Sequence, residues 1–200
     1  MISVLQKHSL GIYFLIYFAL VFVWPTIRTY RATGKNPIVF ARDNSPQGLA
    51  GRYFKWAIAL IFIYVITFPF FPEFFRTWAP GLPGNPAQEA AGWILLIASA
   101  LWTVLAQSQM RDSWRIGIDE EEKTKLVTHG VFSISRNPIF TGILVSLLGL
   151  CILTPNSVAL FLSAICAILI QMQVRFEEAY LIRSHGSSYL DYMKKVRRFF

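Results

Sequence analysis

The sequence holds only two cysteines, Cys151 and Cys166, in 200 residues, and both sit inside apolar runs. That excludes a disulfide framework and any cysteine-based metal spacing. Buried free thiols are the expectation. Three histidines, His8, His129 and His185, are scattered along the chain and form no ligand cluster, so we expect no metal. The sequence shows no internal repeat and no low-complexity tail, and residues 198–200 carry no prenylation box. The first apolar run lacks a short core followed by a small-residue cleavage site, so a retained helix is expected rather than a signal peptide.

What remains is strongly apolar. Hydrophobic residues make up 54% and aromatics 16%, with a mean hydropathy of +0.47. These values point to a membrane domain rather than a soluble one. Five apolar runs are visible: 10–27, ending near Pro25; 53–71; 90–107; 139–153; and 157–174. Most approach the length that crosses ~30 Å of hydrocarbon, although 139–153 is short. Thr154-Pro155-Asn156 separates the last two, which predicts a tight helical hairpin. The segment between Pro72 and Pro86 is rich in Pro and Gly and is expected to be irregular. Trp24, Trp78 and Trp93 fall near run ends, where interfacial anchors belong.

The net charge is +8, but the basic residues flank apolar runs. They read as topology signals and lipid-headgroup contacts, with no nucleic-acid partner. Lys and Arg alternate between connections: one before the first run, then six, one, five, none and six. The positive-inside rule then places the N-terminus outside and the C-terminus in the cytoplasm. The expected fold is an all-α polytopic membrane protein with about five spans. It forms one domain over 1–200, with three spans in 1–110 and the site-bearing half in 111–200.

Two stretches carry chemistry. Thr124–Gly142 is a polar approach that runs through Arg136-Asn137-Pro138 into an apolar helix. Asn137 is expected to cap that helix through its side chain, and Pro138 suits its first position. The free N–H groups there, with Arg136 beside them, form a candidate anion site. The last long helix should continue past the membrane to about Ser184, roughly 42 Å in all at 1.5 Å per residue, and stop at Gly186. Glu177 and Glu178 then lie beyond or near its membrane end and offer a cation site; Arg175 and Glu178, three apart, can pair. A short amphipathic helix follows, capped by Ser187 or Ser188, with Tyr189, Tyr192, Met193 and Val196 on one face. It reads as an interfacial lid. Asp119–Glu122 reads as a solvated loop. Trp114-Arg115-Ile116-Gly117 reads as an interfacial Trp with a headgroup Arg, or as a border of the pocket.

Leu126-Val127-Thr128, Gly130, Phe132, Arg136-Asn137-Pro138, Phe140 and Gly142, then Glu177-Glu178, Leu181, Gly186, Tyr189 and Tyr192, stand in a recognisable order and spacing. Over about the last 80 residues the chain resembles the isoprenylcysteine carboxyl methyltransferase and phospholipid methyltransferase superfamily of integral membrane enzymes. The resemblance implies an S-adenosylmethionine site in the C-terminal half. The implied contacts are Thr124, Lys125, Leu126, Val127, Gly130, Phe132, Arg136, Asn137, Pro138, Ile139, Glu177, Glu178, Leu181, Tyr189 and Tyr192. It also implies a basic residue one turn before Glu177 to meet a substrate carboxylate. Here that position is Gln173, with Arg175 two residues before Glu177. The His of the usual Arg-His-Pro motif is Asn137, and the usual aromatic hydroxyls at Phe132 and Phe140 are missing.

Methyl transfer from a sulfonium to a carboxylate is an in-line displacement that depends on alignment and water exclusion. Arg175 and Arg136 are therefore assigned to positioning, with Glu178 completing the catalytic set, and no general base is assigned. The expected substrate is a lipophilic or lipidated molecule at a bacterial inner membrane or endoplasmic reticulum, foremost an isoprenylcysteine-like carboxylate. The alternatives are phospholipid N-methylation, a sterol-type reductase using NADPH, and a non-enzymatic scaffold or transporter.

Overall fold

A computed structural model describes residues 4–39, 45–79, 81–82, 84–117 and 125–200. Eight α-helices order this part of the chain: α1 Val4–Phe18, α2 Trp24–Thr33, α3 Pro46–Thr67, α4 Pro72–Trp78, α5 Pro86–Met110, α6 Pro138–Leu153, α7 Ser157–His185 and α8 Ser187–Lys195. Four stretches are long and apolar enough to cross a membrane: His8–Thr33, Pro46–Thr67, Pro86–Met110 and Ser157–His185. The shorter apolar Pro138–Leu153 is the fifth. The described residues are thus all-α, with helices placed where the apolar runs predict them.

The sequence explains where these helices begin. Ser45 Oγ accepts from Gly48 N–H at 3.0 Å, and Asn85 Oδ1 from Gln88 N–H at 2.9 Å. Proline follows each cap, at Pro46 and Pro86, where no N–H is needed. In the hairpin turn Asn156 Oδ1 caps α7 by accepting from Ala159 N–H at 3.0 Å. Its Nδ2 donates to Tyr64 Oη at 2.7 Å and ties the turn to α3.

Packing is closest between α5 and α6. Gly142 lets the backbones approach, because a Cβ there would run into Thr103 Oγ1. Ser99 and Ser146 hydroxyls meet across this seam at 2.7 Å. α7 lies against α3, and α1 packs on α3. Leu96, Leu150, Val65, Ile170 and Val174 fill the centre and are essentially unexposed. Outward-facing residues such as Ile94, Leu101, Phe161 and Ile168 are apolar and exposed, as a lipid-facing surface would be.

Three expectations are corrected. Pro25 does not end the first helix: a π turn at Ala19–Val23 absorbs it, and the helix runs on to Thr33. The Pro- and Gly-rich segment is not wholly irregular, since Pro72 starts the short helix α4. Neither Ser187 nor Ser188 caps α8; Gly186 occupies that position, with φ +55° and no side-chain bond. Gly186 also stops α7, its N–H donating to Ile182 O at 2.9 Å.

Candidate functional site

One cavity brings the two motif stretches together. Phe132, Asn137, Pro138 and Ile139 line it from the α6 approach, and Gln173, Glu177 and Leu181 from α7. Met110 contributes from the end of α5, and Trp114 and Arg115 from just beyond it. The empty space is about 920 Å³, part of it open to solvent. The cavity proper is about 160 Å³, smaller than the ~300–1,000 Å³ of typical small-molecule sites. Trp114 is only 3% exposed, so it is a wall of this cavity rather than an interfacial anchor.

Glu178 is held in a buried cluster next to the cavity. Arg136 Nε and Nη2 donate to its Oε1 at 3.2 and 2.9 Å. Arg198 Nε and Nη2 donate to its Oε2 at 3.0 and 2.7 Å. Arg136 and Glu178 side chains are 8% and 5% exposed, against 35% for Arg198. Two guanidiniums on one carboxylate satisfy the charge that burial would otherwise make costly.

The same arginine strings the chain's last described segment across the start of α6. Arg136 Nη1 donates to the carbonyls of Met193 and Val196. Its backbone N–H donates to Arg197 O at 2.9 Å. Asn137 Nδ2 donates to Arg198 O at 3.2 Å and to Glu178 Oε1 at 3.3 Å. Phe200 then stacks near Trp102 with ring centres 5.7 Å apart, and Trp102 Nε1 donates to Pro138 O.

Beneath this strap, Tyr189 and Tyr192 are buried edge to face at 5.8 Å. Tyr192 Oη donates to Phe132 O, which fixes the cavity wall to α8. Burial pushes the Tyr192 phenol up to about 12, and pushes Tyr189 higher still. The Glu178 contact raises Arg198, stabilising its charged form.

Three site expectations are revised by this geometry. Asn137 does not cap α6 through its side chain; the amide is drawn to Glu178 and Arg198 O instead. Glu178 pairs with Arg136 and Arg198 rather than with Arg175, which lies exposed on α7. Arg136 lines the cavity, but four of its five N–H groups already serve Glu178 and two carbonyls, so it is not an open anion site.

Glu177 is the contrasting group. It lines the cavity and accepts from Gln173 Nε2 at 3.2 Å. Of the other implied contacts, Val127 packs with Ala106, Val131 and Phe132. Lys125 and Leu126 lie on the described approach to the cavity but are not among its walls. Gly130 holds the approach turn at φ +62°, where a Cβ would collide with the Gln109 side chain that binds Val131 N–H at 2.9 Å. Thr124 and the Asp119–Glu122 loop lie outside the described residues.

Reasoning from sequence missed Arg198 and Gln107. Gln107, 3% exposed inside an apolar span, is a polar residue whose placement could have flagged it. Nothing in the local pattern around Arg198 distinguishes it from Arg197.

An α-helical bundle with an apolar exterior, and a mostly apolar cavity into which Glu177 and Gln173 project, marks an integral membrane protein with a candidate small-molecule site. A model of the phospholipid methyltransferase family matches residues 87–188, about half the chain. The chain belongs to the phospholipid methyltransferase family. It is also similar to Protein-S-isoprenylcysteine O-methyltransferase B of Arabidopsis thaliana, 32% identical over 82 residues. That match covers 40% of this chain and 42% of the relative, so less than half of the relative's length is spanned.

Proposed function

We propose that the protein is an S-adenosylmethionine-dependent methyltransferase acting on a lipophilic acceptor at the membrane. One observation carries this reading. The cavity that joins the Arg136-Asn137-Pro138 turn to Glu177 also meets an almost wholly apolar groove between α1–α2 and α3, sharing Phe22, Phe54 and Ile116 with it. A lipophilic acceptor held in the groove would thus lie against the cavity that contains Glu177.

The residues present fit the methyl donor. Glu177 supplies a carboxylate for a cationic centre, and Trp114, Phe132 and Ile139 supply flat or apolar walls. Arg115 also lines the cavity. The donor would supply a methyl group on a sulfonium. Glu177 would hold that cation, with Gln173 fixing the carboxylate's orientation. Arg136, Glu178 and Arg198 would act as a rigid back wall that keeps the turn at Pro138 in register. The buried Trp114 and Phe132 would exclude water, so that transfer needs alignment more than acid–base help. The lipid acceptor would enter sideways from the bilayer through the groove. The cytoplasmic placement of this end follows from the basic-residue alternation.

An isoprenylcysteine-like carboxylate is the acceptor we infer, in line with the Arabidopsis relative. A phospholipid amine is the second reading. Gln173 favours it, because a neutral carboxamide stands one turn before Glu177, where the family resemblance calls for a basic residue to meet a substrate carboxylate. A labelled methyl-transfer screen across a prenylcysteine analogue, phosphatidylethanolamine and total lipid extract tests the proposal. Methylation of the analogue supports the first acceptor and methylation of the amine the second. Absence of transfer to all three, with no donor binding, would refute it.

A further inference from the structure

The first span is broken at one place by a π turn, Ala19–Val23. Its local chemistry is legible. Pro25 has no N–H to give the Val21 carbonyl four residues earlier. That carbonyl is taken by Gln107 Nε2, reaching across from α5 to 2.6 Å. Arg28 Nη2 in turn donates to Gln107 O at 2.9 Å, so the crossing is tied from both helices. Val21 and Gln107 are 1% and 3% exposed. A buried amide spanning two helices to replace one missing N–H is a constructed joint. π turns of this kind occur often at functional sites.

Phe22 lies within this turn. Phe22 and Phe54, the latter on α3, line the Glu177 cavity, the apolar groove and a third, smaller chamber bounded by Tyr17, Ser146 and Cys166. They are the two side chains common to all three. With Ile116, they form the boundary that the groove shares with the cavity, so a chain reaching from one into the other runs beside them.

We propose that Phe22, together with Phe54, is a selectivity gate for the acceptor's hydrocarbon chain, and that the Gln107–Val21 bond positions it. The inference rests on the sideways entry proposed above and adds the residues that decide which chains pass. Phe22 acts by the space its ring leaves. Gln107 is a positioning residue that acts through Phe22. Hydrophobic passages discriminate a methylene-sized change by roughly tenfold to a few hundredfold.

The test uses the full chain in phosphatidylcholine vesicles carrying a single-chain C16 amphiphile with a cysteine headgroup and a diazirine on the chain. After illumination, labelled peptides are mapped by mass spectrometry. The ratio compared is labelling at Met110 and Ile139, on the Glu177 cavity, to labelling at Ile58 and Ile63, on the groove. Wild type labels both sets. Phe22→Trp and Phe54→Trp lower the ratio about tenfold, and Phe22→Ala raises it. Gln107→Leu shifts the ratio, and Pro25→Ala in that background restores it by returning an N–H to Val21 O. A loss of folding alone would not be reversed in that way. Melting curves confirm which variants fold, and substitutions at two gate positions keep the test decisive.

An unchanged ratio in folded Phe22→Ala and in either Trp variant would overturn the gate, as would labelling of wild type in the groove alone. The readout needs no methyl donor. A shifting ratio in a protein that binds no S-adenosylmethionine would leave the gate standing and remove the methyltransferase reading. Donor binding with a constant ratio would do the reverse.

Discussion

Glu177 and Glu178 are chain neighbours, yet α7 turns them to different surroundings. Glu178 faces the strap of residues 196–200, where both of its oxygens are held by guanidiniums. Glu177 faces the cavity, with a neutral carboxamide as its bonded partner. Two like residues thus divide into a buried structural charge and a group placed to meet a ligand. Partners rather than residue type set the difference: removing Glu178 strands two cations, while removing Glu177 strands none.

The most damaging change should fall on the strapped face. Glu178→Gln leaves Arg136 buried without its counter-charge, at a cost of about 3–5 kcal/mol. We expect a large fall in melting temperature in detergent, or no folded protein. Glu177→Gln should melt close to wild type. Equal losses for the two variants would erase the division between the faces.

Gly130→Ala comes next, at about 1–3 kcal/mol. It forces a left-handed φ and a clash with Gln109, so Val131 N–H should lose protection in hydrogen exchange.

A weaker effect is set by pH. Folding favours the protonated Tyr192 phenol, whose value rises from 10.0 to about 12. The stability this contributes is complete below pH 10 and drains away between pH 10 and 12. Tyr192→Phe should flatten the alkaline limb of a melting-versus-pH curve, although it also loses the bond to Phe132 O. The smallest effect is on the surface. Lys194 and Asp191 pair at 2.9 Å in full exposure, and Lys194→Ala should leave the melting temperature unchanged.

Helix positions were legible because apolar runs and Pro caps are local signals. The 157–184 helix is found at Ser157–His185, and the last helix at Ser187–Lys195. The nearness of the Asn137 turn and Glu177 was legible too, since a short hairpin returns the chain to the same end. What local pattern could not convey was competition between partners. Asn137 has the chemistry of a cap, but a buried carboxylate and the Arg198 carbonyl outbid the helix N–H groups. Arg175 lies three residues from Glu178, but Arg136 and Arg198 reach that carboxylate from 42 and 20 residues away. Pro25 signals a stop, and only an amide from a distant span, 86 residues on from Val21, lets the helix continue.

The central claim is that the Glu177 side of α7 holds a cationic methyl donor. Calorimetric titration of S-adenosylmethionine into wild type and Glu177→Gln, with NADPH as the competing cofactor, tests it directly. The account predicts saturable S-adenosylmethionine binding by wild type, weakened about tenfold or more in Glu177→Gln, and no NADPH binding. Equal donor affinity in the two proteins, or binding of NADPH alone, would contradict it.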